Sequence, residues 1–390
     1  MRDDGERRAW VALAGVSGMG PARFGSLVGA AGGARAVLEL AACGEWTRLD
    51  AQERVAPALR TAIQGLARAV PDVPEDVVRH GVWTLTPLDE GYPDAFAVLP
   101  DPPPVLYGWG DPATLGEGRR VTVVGTRRPS IAGRALAGAI ARQLVELRVA
   151  VVSGLAFGID GAAHAATVAA GGVTVGVIGA GHGQPGPRAH RDLVGAILAS
   201  GGAVVSELPP RTAPSRTTFP RRNRLLSALG AAVIVVEAPL RSGAVSTAHH
   251  ALEHGHPLFV VPGRPGDRLT AGCLRLLRET EARPLVGLDE LVADLASLGI
   301  LAGSGTGVAR GSRATGPTLS RRAALGLLGP AERAVAEVLS RGPAGLDRLI
   351  ETTGLAPATA AGAVTVLQLR GWVTGMGATF VAAGPLARPR

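Results

Sequence analysis

Residues 211–224, Arg-Thr-Ala-Pro-Ser-Arg-Thr-Thr-Phe-Pro-Arg-Arg-Asn-Arg, hold five arginines and no acid. Guanidinium groups fork onto phosphate oxygens, hydroxyls add neutral hydrogen bonds, and an aromatic ring offers a stacking face for a base. Arg216, Phe219, Arg221, Arg222, Asn223 and Arg224 are therefore candidate contacts to a nucleic-acid backbone and a stacked base. Asn223 is the only asparagine in the chain. A run of like charge is usually a solvated face. Here Pro220 and the apolar stretch 225–229 tie the cluster to a folded core.

Three other segments carry similar chemistry. Val124-Gly125-Thr126-Arg127-Arg128-Pro129-Ser130 ends one β-rich run and precedes a helical pattern. Gly125 permits close approach, Thr126 and Ser130 offer hydroxyls, Arg127 offers a fork, and backbone N–H groups at a helix start attract anions. A capped strand–helix turn is the structural alternative. Neither the dinucleotide nor the P-loop glycine pattern is present. Ser153-Gly154 ends a second strand run ahead of Asp160 and His164, and Ser242-Gly243 forms a further small, hydroxyl-bearing helix start. Ser153, His164 and Asp160 include the residue types of a hydrolase triad, but Ser153 lacks the Gly-x-Ser-x-Gly elbow, so catalysis is not expected from them. His249, His250, His254 and His256 read as a polar helix face and not as a metal site, because no matching third ligand stands nearby apart from Glu253.

These segments need a scaffold. The 390 residues suit two or three domains, and 46% apolar with 18% charged residues excludes bulk disorder. Two cysteines, Cys43 and Cys273, exclude a disulfide framework and fit a reducing, cytoplasmic setting. The charged start leads into no signal-type apolar run, and the apolar stretch 165–180 is broken by glycines, so no membrane span is expected. Net charge is +8, and every basic residue is arginine. With so much alanine and glycine this reads as compositional bias, so the choice of arginine over lysine carries no functional weight. The basic balance favours a polyanionic partner without specifying one.

Residues 1–80 read as an N-terminal helical domain opening with helix, glycine hairpin and helix around Gly18-Met19-Gly20. Such a hairpin either holds one DNA phosphate or is a plain helical turn. Residues 81–297 alternate six continuously apolar runs (121–124, 149–152, 173–178, 203–205, 232–236 and 258–261) with helical patterns. That is the signature of a doubly wound α/β sheet with strands covered on both faces. A Gly/Ser/Arg-rich linker is expected over 298–322, and a winged helix of three helices and a β-hairpin over 323–390. The third helix of that unit carries Arg370 as its only charge. That favours a protein-interaction or degenerate winged helix over a DNA reader.

Val-Gly-Thr-Arg, Ser-Gly-Leu-Ala-x-Gly-Ile-Asp-x-x-Ala-His, Ser-Glu-x-Pro-Pro, Phe-Pro-x-Arg-Asn-Arg, Val-Val-Glu-Ala, Ser-Gly-x-x-x-Thr-Ala and Val-Pro-Gly occur in that order. Over about residues 80–290 this set closely resembles the bacterial DNA processing protein A (DprA/Smf) family. The flanking regions resemble that family's other domains more weakly: an N-terminal helical, helix-hairpin-helix or SAM-like domain and a C-terminal winged helix. The resemblance implies a Rossmann-like, mostly parallel open sheet. It implies a homodimer that binds and protects single-stranded DNA and loads the RecA recombinase in natural transformation. By that likeness Arg127, Ser153, Arg221, Arg222, Asn223, Arg224, Ser242 and Gly243 line the DNA pocket. No enzyme activity, cofactor, metal or membrane is expected. Phe157 stands where the family usually has arginine, His190 where asparagine is common, and Cys273 replaces an asparagine. A Tyr-Pro usual after the third strand appears only as Gln184-Pro185. Two other readings stay open: a nucleoside monophosphate phosphoribohydrolase-like enzyme, and a RecA-binding scaffold with incidental DNA contact. On this reading Arg221→Ala with Arg222→Ala weakens single-strand binding and leaves the chain folded.

Overall fold

The computed structural model describes residues 4–49, 55–116, 119–184, 190–301, 325, 328–340, 344–369, 372–376 and 379–382. The expected linker beyond residue 301, Pro185 and Arg370 lie outside the described residues. The chain divides into two compact units, Met1–Ala309 and Arg310–Arg390.

The first unit opens with helices α1 (Asp4–Ala14), α2 (Pro21–Ala31), α3 (Ala34–Ala42) and α4 (Pro57–Ala67). Pro21 occupies the first turn of α2, where its missing N–H costs nothing. Gly32 ends that helix at φ 85, a left-handed conformation that favours glycine. The Glu6 carboxylate accepts the N–H groups of Ala34 and Arg35 and so occupies the positive end of α3. These helices share a core of Leu13, Phe24, Leu27, Val37 and Ile63. They are also joined to the segment leading into the sheet. Val11 packs with Val77, Val82, Val105 and Tyr107, and the Trp10 indole donates to the Pro104 carbonyl at 2.6 Å.

After the short helix α5 (Glu75–Arg79) come β1 (Trp83–Leu85), β2 (Leu106–Gly110) and β3 (Arg120–Val124). Then α6 (Ile131–Glu146), β4 (Ala150–Ser153), α7 (Ile159–Ala169), β5 (Thr174–Val177), α8 (Arg191–Ala199) and β6 (Ala203–Ser206) alternate. The chain continues through α9 (Thr218–Leu229), β7 (Val233–Val235), α10 (Gly243–Glu253), β8 (Leu258–Val260), α11 (Ala271–Glu279), β9 (Arg283–Pro284) and α12 (Leu288–Ser297). The nine strands lie in the order β1-β2-β6-β5-β4-β3-β7-β8-β9. The run from β6 to β9 is parallel, and β1 and β2 are antiparallel.

Period-two alternation divides the strand side chains between two buried faces. Val121, Val123, Val151 and Ile234 pack under α6, α7 and α12 through Ile140, Ala163 and Leu291. Val124, Val152, Val233 and Val235 face α9, α10 and α11 through Leu225, Leu229, Ala248 and Leu276. Both faces are covered, which is why the strands read as unbroken apolar runs; each buried valine or leucine contributes roughly 1.5–3 kcal/mol. The six central strands fall where the sequence predicts them. β1, β2 and β9 are not apparent from such runs: β1 and β9 are very short, and β2 is broken by Gly108.

The chain builds outward from β3 to β4, β5 and β6, then crosses back to β7 on the other side of β3. Above the carboxyl ends of β3 and β7 the connections diverge and leave a crevice.

The second unit is described by itself. Helices Pro330–Leu339, Leu346–Thr353 and Pro357–Leu369 enclose Val335, Leu349, Val364 and Leu367. Gly354 ends the second helix at φ 67, as the sequence predicts. β10 (Ala344–Gly345), β11 (Val373–Met376) and β12 (Thr379–Ala382) form a small antiparallel sheet in the order β10-β12-β11. This is a winged helix, and β10 is a described strand beyond the expected hairpin.

Candidate nucleic-acid interface

A crevice of about 820 Å³ opens at the switch point. Gly125 to Arg128 line it from the end of β3, Arg216, Phe219, Arg222 and Asn223 from α9 and the loop before it, and Arg241, Ser242 and Gly243 from the start of α10. Three sequence segments expected to act together therefore meet in one place.

The arginines divide into two kinds. Arg127, Arg128, Arg216 and Arg241 are exposed at the crevice, and none enters an ion pair among the described residues. Arg127 lies over the Phe219 ring at 5.0 Å, a cation–π contact that keeps its charge available. Arg128 and Arg241 are absent from the residues that the sequence marks as candidates. Their signal is position, directly after a strand end and directly before a helix start.

The other arginines are occupied. Arg222 is 5% exposed and donates through Nη1 to the carbonyl of Gly154 at 2.7 Å and to that of Val177. It ties the ends of β4 and β5 together from α9. Asp160 lies buried nearby, and burial pushes its carboxyl up to about 6 against the pull of Arg222 and of the Ala156, Gly125 and Gly154 N–H groups. Burial likewise brings Arg222 down to about 10, which leaves it charged at neutral pH. Arg222 borders the crevice, yet its guanidinium is a structural brace. The expectation that the Arg221/Arg222 double variant folds normally changes accordingly: removing Arg222 strands a buried carboxylate.

Arg224 is turned away from the crevice and pairs with buried Glu207, with Asp101 at 3.6 Å. Arg221 is exposed, lies 3.7 Å from Glu207 and does not line the crevice. Arg211 approaches Glu75 at 3.8 Å. The acids missing from the arginine-rich stretch arrive from elsewhere in the chain.

The hydroxyls and glycines also separate. At α6 the expected phosphate position is filled by the protein's own Glu237. Its carboxylate accepts the Ser130 N–H at 2.9 Å and the Ser130 hydroxyl, while Ser130 Oγ also caps Gly133 N–H at 2.9 Å. A Cβ on Gly133 would lie 2.2 Å from the Glu237 carboxyl carbon. The helix dipole is thus satisfied internally, and Ser130 does not line the crevice. Thr126 lines the crevice, but its N–H donates to Glu237 O at 2.7 Å and its Oγ1 accepts Arg128 N–H at 3.2 Å.

Ser153 is fully buried and donates to Val123 O at 2.6 Å. A Cβ on Gly125 would come within 2.5 Å of Ile159, so that glycine serves strand–helix packing. A Cβ on Gly154 would lie 2.5 Å from Arg222 Nη1 and 2.6 Å from Asp160 Oδ2. Gly154 therefore makes room for the buried pair and borders a neighbouring cavity instead of the main crevice.

The start of α10 remains open. Ser242 caps it by accepting Val245 N–H at 3.4 Å, and Ser242, Gly243 and Ser246 line the crevice beside Arg241. Asn223, 5% exposed, donates through Nδ2 to Gly243 O at 3.2 Å and fastens α9 to this helix start. A basic side chain beside the positive end of a helix suits an anion.

The triad alternative has no geometry behind it. His164 is fully buried with Nδ1 2.7 Å from Thr174 Oγ1, and burial brings it down to about 3. Thr174 itself donates to Val151 O, so the imidazole is the donor in that contact. The Ser153 hydroxyl is directed to Val123, away from a base. In the histidine cluster, His250 meets Glu253 at 2.9 Å, His254 meets Ser227 Oγ at 2.7 Å and His256 meets Ser227 O at 2.8 Å. No group of three metal-ligating side chains forms among the described residues.

Of the family departures, Phe157 is 48% exposed beside the crevice and meets His190 edge-on at 4.9 Å. Gln184 borders the neighbouring cavity. Cys273 lies fully buried in α11, and burial pushes its thiol up to about 11, so it is unreactive and absent from the crevice.

A doubly wound, Rossmann-like sheet with a basic switch-point crevice, together with a winged helix, defines the class of protein. Comparison with known proteins then narrows it. The family model described as DNA recombination-mediator protein A matches residues 83–296, and that of the DprA winged helix domain matches residues 320–377. The chain is 38% identical over 318 residues to the putative DNA processing protein DprA of Mycobacterium tuberculosis, covering 78% of this chain and 77% of that one. Among solved structures it is similar to DNA processing protein A from Streptococcus pneumoniae. The TM-score is 0.57 at 27% identity, over 74% of this chain and 97% of that one. It is also similar to DNA processing protein A from Helicobacter pylori, described for its single-stranded DNA binding mode. Here the TM-score is 0.51 at 30% identity, over 55% and 96% of the two chains. The chain belongs to the DNA recombination-mediator protein A (DprA/Smf) family.

Proposed function

We propose that this chain binds single-stranded DNA along the switch-point crevice and passes it to the RecA recombinase during natural transformation, working in the cytoplasm as a homodimer without metal or cofactor. The observation that carries the reading is the crevice charge. Four exposed arginines without carboxylate partners among the described residues surround a cavity that Asp160 lines as a buried acid beside Arg222. Arg127 and Arg128 take one part of the backbone, Arg216 a second, and Arg241 with the α10 start a third. Phe219 offers a ring to a base. With few donors directed at base edges, binding is weakly dependent on sequence. A single strand fits better than a duplex because its backbone can bend into a crevice and present unstacked bases.

The chain acts by binding and not by turnover. The internal hydrogen bonds of Ser153 and His164 support this, since they engage the two side chains that a hydrolase triad would need free. Among the described residues, no helix is long and apolar enough to cross a membrane.

The test is competition between equal-length single-stranded and duplex DNA in fluorescence anisotropy, with a second assay of RecA filament assembly on strands coated with a single-strand-binding protein. The reading expects preference for the single strand and faster filament assembly when the protein is added. Equal or absent binding to both DNAs would overturn it, and release of free base from nucleoside monophosphates would replace it with the hydrolase reading.

A further inference from the structure

Glu237 puts a buried negative charge close to a crevice of positive ones. It follows β7, is 8% exposed and does not line the crevice. Its carboxylate enters no ion pair among the described residues and is held by Ser130. By Coulomb's law alone this charge opposes the binding of phosphate nearby. A favourable contribution therefore has to come from what the residue holds in place.

What it holds is the loop between β3 and α6. Thr126 N–H donates to the Glu237 carbonyl at 2.7 Å, Ser130 N–H donates to the carboxylate at 2.9 Å, and the Ser130 hydroxyl donates to the other carboxylate oxygen. Between these two anchors lie Arg127 and Arg128, both exposed at the crevice. The start of α7 closes the opposite side. Ile159 N–H donates to Thr126 O at 3.2 Å, and a Cβ on Gly158 would lie 2.3 Å from Thr126 O and 2.7 Å from the Arg127 carbonyl carbon. The loop is thus gripped at Thr126 from two sides and at Ser130 by the Glu237 carboxylate. Two arginines on a loop fixed at both ends lose less freedom when they meet a phosphate.

We propose that Glu237 is a positioning residue for strand binding: it touches no DNA, and its carboxylate holds the loop 126–130 so that Arg127 and Arg128 meet the backbone together. This rests on the single-stranded DNA reading and adds which residue sets its arginine pair. Charge and positioning act in opposite directions here. Loss of a negative charge beside the crevice strengthens the binding of a polyanion, whereas loss of the loop anchor weakens it.

The test is the salt dependence of oligothymidylate binding by the full chain, read by fluorescence anisotropy, with thermal melting to verify folding. Glu237→Ala and Glu237→Gln are each measured alone and together with Arg127→Ala and Arg128→Ala. Glu237→Ala should weaken binding and make the log–log slope shallower by up to about 1.4, the share of two phosphate contacts. Glu237→Gln keeps an acceptor for Ser130 N–H and loses the charge, so it should bind at least as tightly as the parent. Without the two arginines, Glu237→Ala should cause no further loss, because the residues act as one unit. If Glu237→Ala does not fold, Glu237→Asp takes its place: it keeps the charge, withdraws the carboxylate from Ser130 and should show the same loss. Parent-like or tighter binding by the anchor-deficient variant, or an equal loss with and without the two arginines, overturns the proposal and leaves the DNA reading intact. Failure of the unaltered chain to bind the strand overturns both.

Discussion

Arg222→Ala is the most informative perturbation of the site, because the crevice border and the fold compete for this residue. The side chain is 5% exposed, donates to two strand-end carbonyls and neighbours a buried carboxyl. Removing a buried guanidinium that serves two carbonyls and offsets the charge of a neighbouring carboxylate costs about 3–5 kcal/mol, a large share of a typical domain stability of about 5–15 kcal/mol. The loss depends on pH in a definite direction. Asp160 has its folded pKa raised from 3.8 to about 6, so its protonated form is favoured by folding, and stability from this group is lost as pH rises from about 4 to about 6. Arg222 opposes that rise, so its removal moves the carboxyl further up and extends the unfavourable window upward. The Arg222→Ala deficit should therefore be largest near pH 8 and shrink toward pH 5. Urea unfolding monitored by tryptophan fluorescence and far-UV circular dichroism at both pH values measures it. Arg222→Met with Asp160→Leu should recover only the pH-dependent part of the loss at pH 8, because no buried charge remains while the Gly154 and Val177 carbonyls and the N–H groups that faced Asp160 lose their partners. A single variant as stable as the parent at pH 8, or a deficit unchanged between pH 8 and pH 5, would refute the brace.

The contacts around the crevice set two further outcomes. Ser130→Ala should cost about 1 kcal/mol in stability as a lost helix cap and leave single-strand affinity within about twofold, because its hydroxyl already serves Gly133 and Glu237. Thermal melting and anisotropy read the two effects separately. Gly154→Ala should destabilise by about 1–3 kcal/mol, since its Cβ would fall 2.5 Å from Arg222 Nη1 and 2.6 Å from Asp160 Oδ2. Chemical denaturation checks this, and an unchanged midpoint would contradict the packing.

The central sheet is legible in the sequence because strands covered on both faces must be apolar throughout, and the runs ending at Val124, Val152 and Val205 obey that rule. The edge strands escape it: β9 is Arg283-Pro284, and β2 is recognisable only through its pairing with β1 and β6. The arginine-rich stretch is legible as charge but not as direction. Arg221, Arg222 and Arg224 lie on one helix at about 100° per residue and so face three ways. One reaches solvent, one the strand ends and one buried Glu207. Glu207, Asp101 and Glu237, which decide the fate of Arg224 and Ser130, are distant in sequence and brought in only by the fold. Arg128 and Arg241 are legible in principle, since each sits in a segment where a switch-point crevice must draw its lining.

The measurement that tests the crevice most directly is the salt dependence of single-strand affinity for the parent and for Arg216→Ala with Arg241→Ala. Both residues are exposed, so folding should be unaffected. Four crevice arginines predict a log–log slope of about −3 for the parent, and removing two should make it shallower by about 1.4 while weakening binding most at low salt. A variant with the parent's slope and affinity would contradict the account, because the strand would then be held somewhere other than the crevice.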